Sequence, residues 1–425
     1  MVTQENKRGC NKKRRVVITG IGIVSPVGIG KKVFWESVKK GRSGVGRITR
    51  FDTSSVPVKI AAEVKDFDPQ RFMDKKLIKR TDRFTQYGIA ATRMAIEDAQ
   101  INLADEDPER VTVYMGTAIA GGEFAEEQHT ILVKKGPKKV SPLLSIIFYN
   151  DSCVAQICIE FGLKGASITL SGACAASSTA IACAFEKIRE GEADVILAGG
   201  VETPIIITFI ATMGKLGAMS KRNTEPEKAC RPFDKKRDGF VVGEGSCVLV
   251  LEELTHALKR GAHIYAEICG TGRTTDAYHI ISPEPTTDQA SRAMRLALAD
   301  AGILPQDVDY INAHGSSTQT NDIAETKAIK NVLGEHAYNV SISSTKSIYG
   351  HPMGAAGAMD LAVTCLALEN NLVPPTINYE FPDPECDLDY TPNKARISRI
   401  NVALSNSFGF GGHNTCIAIK RFDGV

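Results

Sequence analysis

The chain has 425 residues, 43% of them hydrophobic and 24% charged, which exceeds one ordinary single-core domain and predicts two domains or one duplicated domain. That composition excludes a disordered, collagen-like or membrane-spanning chain. Lys plus Arg number 51 and Asp plus Glu 49, so the net charge of +2 points to no nucleic acid or membrane surface. No zinc-finger spacing or glycine-aromatic RNA-binding motif is present either.

The first residues place a basic cluster, Lys12 to Arg15, ahead of the apolar run VVITGIGIV, with no A-x-A cleavage site after it. This predicts a basic tail over 1–14 followed by a first strand, not an export signal. The longest apolar run lies around Ile205–Ile207 and is broken by Thr203, Pro204, Thr208 and Thr212, far short of the roughly twenty residues that a membrane span needs. The eleven cysteines are scattered through apolar segments with no C-x-x-C pair, which fits a reducing cytoplasm and mostly buried, structural thiols.

Short β-branched runs recur along the chain: Val16–Ile18, Val111–Met115, Ser167–Leu170, Val195–Ala198, Cys247–Leu251, Ile264–Cys269, Val308–Ile311, Val340–Ser343, Val402–Leu404 and Cys416–Ile419. Helical patterns lie between several of them, notably Ala175–Glu190 and Ser291–Ala301, so the fold class is α/β. ITLSGACAASSTAIACAFEKIREG and SISSTKSIYGHPMGAAGAMDLAVTCLALENN share an order of strand, turn and small-residue helix, and GEGSCVLVLEEL matches GGHNTCIAIKRF in type. These correspondences predict an internal duplication with halves at 15–258 and 259–425.

Cys174 falls where a strand runs into a helix that opens with Ala175, Ala176, Ser177 and Ser178. Unpaired N–H groups and the helix dipole there favour thiolate over thiol, and the small neighbours leave room for a substrate. A lone cysteine at a helix start is more often a buried structural residue, so its partners decide. His314 in NAHGSST follows one strand, and Lys346 and His351 in STKSIYGHP follow another. Carboxyl ends of strands are where α/β folds build sites, and a cysteine with two histidines can perform acyl chemistry. The turn NSFGFGG, from Asn406 to Gly412, offers glycine-freed N–H groups suited to an oxyanion hole.

Taken together, GACAASST, NAHGSST, STKSIYGHPMGAAG, NSFGFGG and RPFDKKRDGFVVGEG resemble the β-ketoacyl-acyl-carrier-protein synthases, the condensing enzymes of the thiolase superfamily, and most closely the synthase II type. The resemblance runs from about Arg15 to Lys420. It implies a thiolase-like duplicated α/β unit with a five-layered α-β-α-β-α core, a homodimer, and acyl carrier protein as partner. It implies that Cys174 takes the acyl chain from a phosphopantetheine thioester, with the N–H groups of Cys174 and Phe410 holding the oxyanion. His314 and His351 then stabilise the enolate formed when malonyl-carrier protein loses carbon dioxide, and Lys346 and Glu325 support the His314 region. The resemblance also assigns Ser316 and Thr318 to the pantetheine arm, Phe410 and nearby His279 to the gate for the second substrate, and Lys76, Lys79 and Arg80 to carrier docking. It implies no cofactor and no catalytic metal, only a structural monovalent cation near Asn312.

Some positions depart from the family pattern. Ser316 replaces a threonine, Gln319-Thr320 stand where a proline is common, and Ile280-Ile281 replace a stretch with a threonine that touches pantetheine. Ala125 stands where a larger aliphatic residue often bounds the acyl tunnel, and Leu143–Ile146, Asn150 and Asp151 alter the neighbouring wall. These departures predict an altered acyl preference. The alternatives are a thiolase, an initiating synthase with Cys-His-Asn, a non-catalytic chain-length factor, and a ketosynthase of a type II polyketide pathway working with such a factor. The turn Gly411-Gly412-His413, which lacks the second cysteine of a thiolase, argues against the first, His351 against the second and Cys174 against the third.

Overall fold

The computed structural model describes residues 13–424. Residues 1–12 of the expected basic tail lie outside the described residues. The end of that tail is anchored: Arg14 donates to Asp194 at 2.8 Å and Arg15 to both oxygens of Glu267 at 2.8 and 2.6 Å.

Each of the ten expected β-branched runs contributes a strand. In chain order they are β1 (Val16–Ser25), β2 (Val111–Thr117), β3 (Ile168–Ser171), β4 (Val195–Glu202) and β5 (Gly245–Glu253). The second set is β6 (Ala266–Thr275), β7 (Tyr310–Asn312), β8 (Ser341–Ser343), β9 (Val402–Gly409) and β10 (His413–Lys420). Five longer helices pack on them: α1 (Arg83–Ala99), α2 (Ala176–Glu190), α3 (Asp288–Ala301), α4 (Gln319–Leu333) and α5 (Ala356–Asn370).

The strands run in the order β8-β7-β9-β10-β6-β1-β5-β4-β2-β3, with Gly28–Ile29 paired onto β1 as an eleventh strand. Counted outward from the middle, β1-β5-β4-β2-β3 and β6-β10-β9-β7-β8 are the same topology: first, fifth, fourth, second and third strand of each set. The sense of pairing matches too. The second strand of each set is parallel to the third and fourth, and the fifth is antiparallel to its neighbours. The sets join through a short antiparallel seam, Val16↔Ile268 to Ile18↔Ala266.

Helix α1 covers one outer face and α3 the other, while α2 and α5 lie between the sets and touch strands of both. The result is a thiolase-like α-β-α-β-α stack. Strands β1 and β4 are buried along their whole length, which is why they read as continuous apolar runs. Residues 356–368 of α5 are all buried, so that helix is apolar all round except for Asp360 and Thr364, whose hydroxyl bonds back to the Asp360 carbonyl. Serines at the contact tie the sets together: Ser178 Oγ meets Ser407 Oγ at 2.7 Å, and Ser177 Oγ accepts from the Ala358 N–H at 3.0 Å.

The glycines of the first strand in each set show the duplication at atomic scale. A Cβ at Gly22 would stand 1.9 Å from the Ala91 carbonyl oxygen, and one at Gly272 would stand 1.9 Å from that of Ala293. Helix α1 lies on β1, and α3 on β6, too closely for any side chain at these positions.

Candidate active site

Strand β3 ends at Ser171, and a single turn, Ala173–Ala175, then feeds α2. Ala173 takes a positive φ of 47°, a left-handed conformation that turns the chain sharply and presents Cys174 beside the helix start. Cys174 lines a cavity of about 430 Å³ together with His314, His351, Ser316, Thr318, Glu325 and Phe410. The first set of strands supplies the cysteine, and the second set supplies the histidines and the glycine turn.

The N–H groups of Phe410 and of Cys174 itself lie close enough to the Cys174 sulfur to favour its thiolate form. They converge because β9 carries Gly409 against the nucleophile turn, where a Cβ would stand 3.2 Å from Cys174 N. The expectation that the helix start yields a thiolate is corrected. Burial pushes the Cys174 thiol up to about 12, outweighing the nearby Lys346 charge and the two N–H donors. Burial thus favours the neutral thiol at Cys174.

His314 follows β7 directly. Its N–H and that of Gly315 both donate to the Glu325 carboxylate, at 2.8 and 2.7 Å. His351 does not stand at a strand end: a short helix, Lys346–Tyr349, separates it from β8. Its backbone pairs instead with 241–243, the His351 N–H donating to Val241 O at 2.7 Å and the Gly243 N–H to His351 O at 2.9 Å. The two rings meet edge to face with centroids 5.3 Å apart. Burial holds both imidazoles well below the usual histidine range, with the Lys346 charge acting in the same direction, so both are neutral near pH 7.

Lys346 is fully buried and lies behind the cavity wall. Its Nζ donates to Asp360 on α5 at 2.5 Å, and Tyr349 donates to the other carboxylate oxygen at 2.6 Å. The expected network therefore divides. Glu325 fixes the His314 backbone, while Asp360, which sequence reasoning missed, neutralises Lys346. Burial lifts the Glu325 carboxyl to about 7, against the N–H groups that hold it down.

The Ser316 and Thr318 hydroxyls are 3.1 Å apart on the cavity wall, and the Thr318 hydroxyl also caps α4 by accepting from the Asn321 N–H. His279 is exposed and does not line the cavity. Its Nδ1 accepts from the Ile281 and Ser282 N–H groups, shaping the loop whose Ile281 does reach the wall. That loop is tied to the glycine turn, with the Gly411 N–H donating to Ile280 O at 2.8 Å.

Ala125 is half-buried on the helix Gly122–Lys135 and is not among the residues that line this cavity. The apolar residues clustered with Cys174 include Ile119, Ile206, Phe240 and Met353. Lys76, Lys79 and Arg80 are exposed on and just after the short helix Lys75–Ile78. Near Asn312, the buried Asn312 Oδ1 and the Ser405 Oγ of the neighbouring strand have no hydrogen-bond partner. Among the described residues, no group of His, Cys, Asp and Glu has the arrangement of a metal centre.

Comparison with known proteins accords with this geometry. The family models "Beta-ketoacyl synthase, N-terminal domain" and "Beta-ketoacyl synthase, C-terminal domain" match residues 13–257 and 265–380. The chain is 46% identical to 3-oxoacyl-[acyl-carrier-protein] synthase 2 of Synechocystis sp. over 97% of its length and 99% of the relative's. It is also 46% identical to the synthase 2 of Coxiella burnetii, over 96% of this chain and 99% of that one. Among solved structures, a type II polyketide ketosynthase in complex with its acyl-carrier protein superposes with a TM-score of 0.90 at 37% identity, covering 97% of this chain and all of that one. A β-ketoacyl synthase from Burkholderia phymatum gives 0.89 at 35% identity, covering 96% and 100%. With both halves matched in order and the cysteine of one facing the histidines of the other, the chain belongs to the β-ketoacyl synthase family.

Proposed function

We infer that the protein is a 3-oxoacyl-acyl-carrier-protein synthase, an acyltransferase that lengthens a Cys174-bound acyl chain by two carbons by decarboxylative condensation in fatty-acid synthesis. The observation that carries this reading is the convergence of the Cys174 sulfur, the Phe410 N–H and two neutral histidines on one cavity.

The Cys174 sulfur attacks the thioester carbonyl of an acylated carrier protein. The C–S bond to pantetheine breaks, and the thiol proton leaves with the pantetheine sulfur. The N–H groups of Cys174 and Phe410 hold the oxygen that becomes negative. Malonyl-carrier protein follows, its carboxylate leaves as carbon dioxide, and the bonding electrons pass to an enolate. Neutral His314 and His351 each donate a ring N–H to the enolate oxygen, and protonated rings are not required. The enolate carbon attacks the acyl-cysteine carbonyl, a C–C bond forms, and the Cys174 sulfur is released.

The Ser316 and Thr318 hydroxyls bind the pantetheine arm, and Phe410 with the His279 loop bounds its entry. Lys76, Lys79 and Arg80 form an exposed basic surface for the acidic carrier protein, where opposite charge steers encounter. A homodimer forms across β3. That edge strand leaves Ile168 45% exposed, and Phe148, Tyr149 and Ile159 in the segments that precede it are 56%, 61% and 73% exposed. The Asn312 Oδ1 and Ser405 Oγ suit a structural monovalent cation, which would supply them with the partner they lack. This reading places the protein in the reducing cytoplasm, in keeping with its ten described cysteines, all free.

A second reading, the ketosynthase subunit of a type II polyketide pathway, draws on the 0.90 superposition with such a ketosynthase. Product analysis with purified carrier proteins separates the two. A single two-carbon extension by the protein alone supports the first reading, and a requirement for a partner subunit supports the second.

A further inference from the structure

The duplication assigns every part of the catalytic centre a counterpart in the other set of strands. Cys174 lies in the turn Ala173–Ala175 ahead of α2, and its counterpart is Gly354 in the turn Met353–Ala355 ahead of α5. The backbones match: φ is 47° at Ala173 and 41° at Met353, and φ/ψ is −57°/−51° at Ala176 and −56°/−51° at Ala356. The fourth strands, β4 and β9, each have eight residues and end at Glu202 and Gly409. The register of the second strands, Thr112↔Ile196 and Tyr310↔Ala403, makes Ala118–Ala120 the counterpart of Ser316–Thr318.

At the catalytic centre, Gly409 leaves the space beside the Cys174 N–H open to a substrate oxygen. At the counterpart, Glu202 closes that space with its own carboxylate. One oxygen accepts from the Gly354 N–H at 2.9 Å and the Ala118 N–H at 2.6 Å. The other accepts from the Ile119 and Ala120 N–H groups at 3.0 and 3.1 Å and from the Thr117 hydroxyl at 3.1 Å. Glu202 is fully buried, and among the described residues no side chain pairs it with a cation. A Cβ at Gly354 would stand 2.5 Å from the Glu202 carboxylate, so the nucleophile's counterpart has room only for glycine.

We propose that Glu202 fills, from within the chain, the counterpart of the oxyanion hole, and that it is the positioning residue that sets the His351 ring against the Cys174 sulfur. Gly354 is three residues after His351, whose other side is already pinned by Val241 and Gly243. Ile119 belongs to the apolar cluster around Cys174, so the same carboxylate bolts the histidine segment to the acyl-chain side of the site. Emptied of its side chain, the hole would accept a small carboxylate such as formate. The inference rests on the reading of His351 as a donor to the enolate.

The test uses the full-length enzyme, with Glu202→Ala, Glu202→Gln and His351→Ala beside the wild type, in two separate half-reactions. One is acyl transfer from acyl-carrier protein to Cys174, read by intact mass. The other is carbon dioxide release when malonyl-carrier protein is added to enzyme already acylated. Both Glu202 variants should lose about tenfold or more in carbon dioxide release while acyl transfer changes less than about threefold, since misplacing a donor affects the step that uses it. Formate should restore at least about threefold of that loss in Glu202→Ala, as expected for a vacated set of N–H donors, whereas equal chloride should not. Glu202→Gln retains the side-chain volume and should gain nothing from formate. If Glu202→Ala does not fold, the split in Glu202→Gln decides alone. Parallel loss of both half-reactions, loss in Glu202→Ala without formate recovery, or unchanged carbon dioxide release while His351→Ala abolishes it, would overturn the proposal. If His351→Ala itself releases carbon dioxide at the wild-type rate, the role given to His351 is what fails.

Discussion

Gly409 lies so close to Cys174 that a Cβ built on it would stand 3.2 Å from the Cys174 nitrogen and 2.9 Å from the Gly172 carbonyl oxygen. The strand that carries the Phe410 donor can approach the nucleophile turn only because residue 409 has no side chain. Gly409→Ala should push Phe410 away from the sulfur and lower the rate of acyl transfer by about 10²-fold, the scale of one lost oxyanion donor. Single-turnover acylation measures this. A change of less than about threefold would mean that Phe410 does not hold the oxyanion.

The thiol of Cys174 is pushed up to about 12 by burial, so its thiolate fraction grows tenfold with each pH unit across the accessible range. Alkylation of the free enzyme by iodoacetamide, followed as mass at Cys174, should therefore rise steadily from about pH 6 to about pH 9 without levelling off. A plateau beginning near pH 7 would show that the helix start and Lys346 prevail over burial.

His314 and His351 are held well below the ordinary histidine range by burial and by Lys346. A histidine of lowered pKa is already neutral where an exposed one is still charged, so lowering the pH through about 6.5 should not protonate either ring. The ring resonances of His314 and His351 in isotope-labelled enzyme should stay at their neutral positions from about pH 8 to about pH 6, a direct readout needed because the Glu325 carboxyl beside His314 titrates near 7 and the rate would follow it. A ring titration centred near 6.5 would contradict the neutral pair.

Lys346 and Asp360 are both fully buried and share a 2.5 Å hydrogen bond. Removing one partner strands the other charge, so Asp360→Leu should destabilise the fold by about 3–5 kcal/mol in denaturant titration. Lys346→Met combined with Asp360→Leu should recover most of that loss while still impairing condensation. Equal destabilisation by the single and double changes would mean that the pair is not coupled.

Much of this was legible in the sequence. The β-branched runs marked every main strand, because strands covered on both faces carry few polar residues. Cys174, His314, His351 and the glycine turn were legible because each sits in a short, unusual motif beside a strand. Asp360 was not, although a signal existed: it is the only charge in the apolar stretch 356–368 and stands fourteen residues after a lysine that burial would oblige to find a partner. Helix α1 was obscured by Gly88, which breaks the pattern because Cys153 Sγ lies 2.2 Å from where its Cβ would be. Ile119 was not legible as a neighbour of Cys174, because the turn that leads into the helix Gly122–Lys135 carries no motif to show which of its residues faces inward. The preference for thiol over thiolate depends on burial supplied by both halves, which no local stretch reveals.

The central claim is that Cys174 carries the growing chain and that the histidines opposite it extend that chain. Intact-protein mass spectrometry after mixing the enzyme with acyl-carrier protein and then malonyl-carrier protein tests both steps in one experiment. The account predicts an acyl mass on the wild type that is absent from Cys174→Ala, followed by its release as a β-ketoacyl product two carbons longer. A folded wild-type enzyme that takes up no acyl group, or one acylated equally well without Cys174, would contradict it.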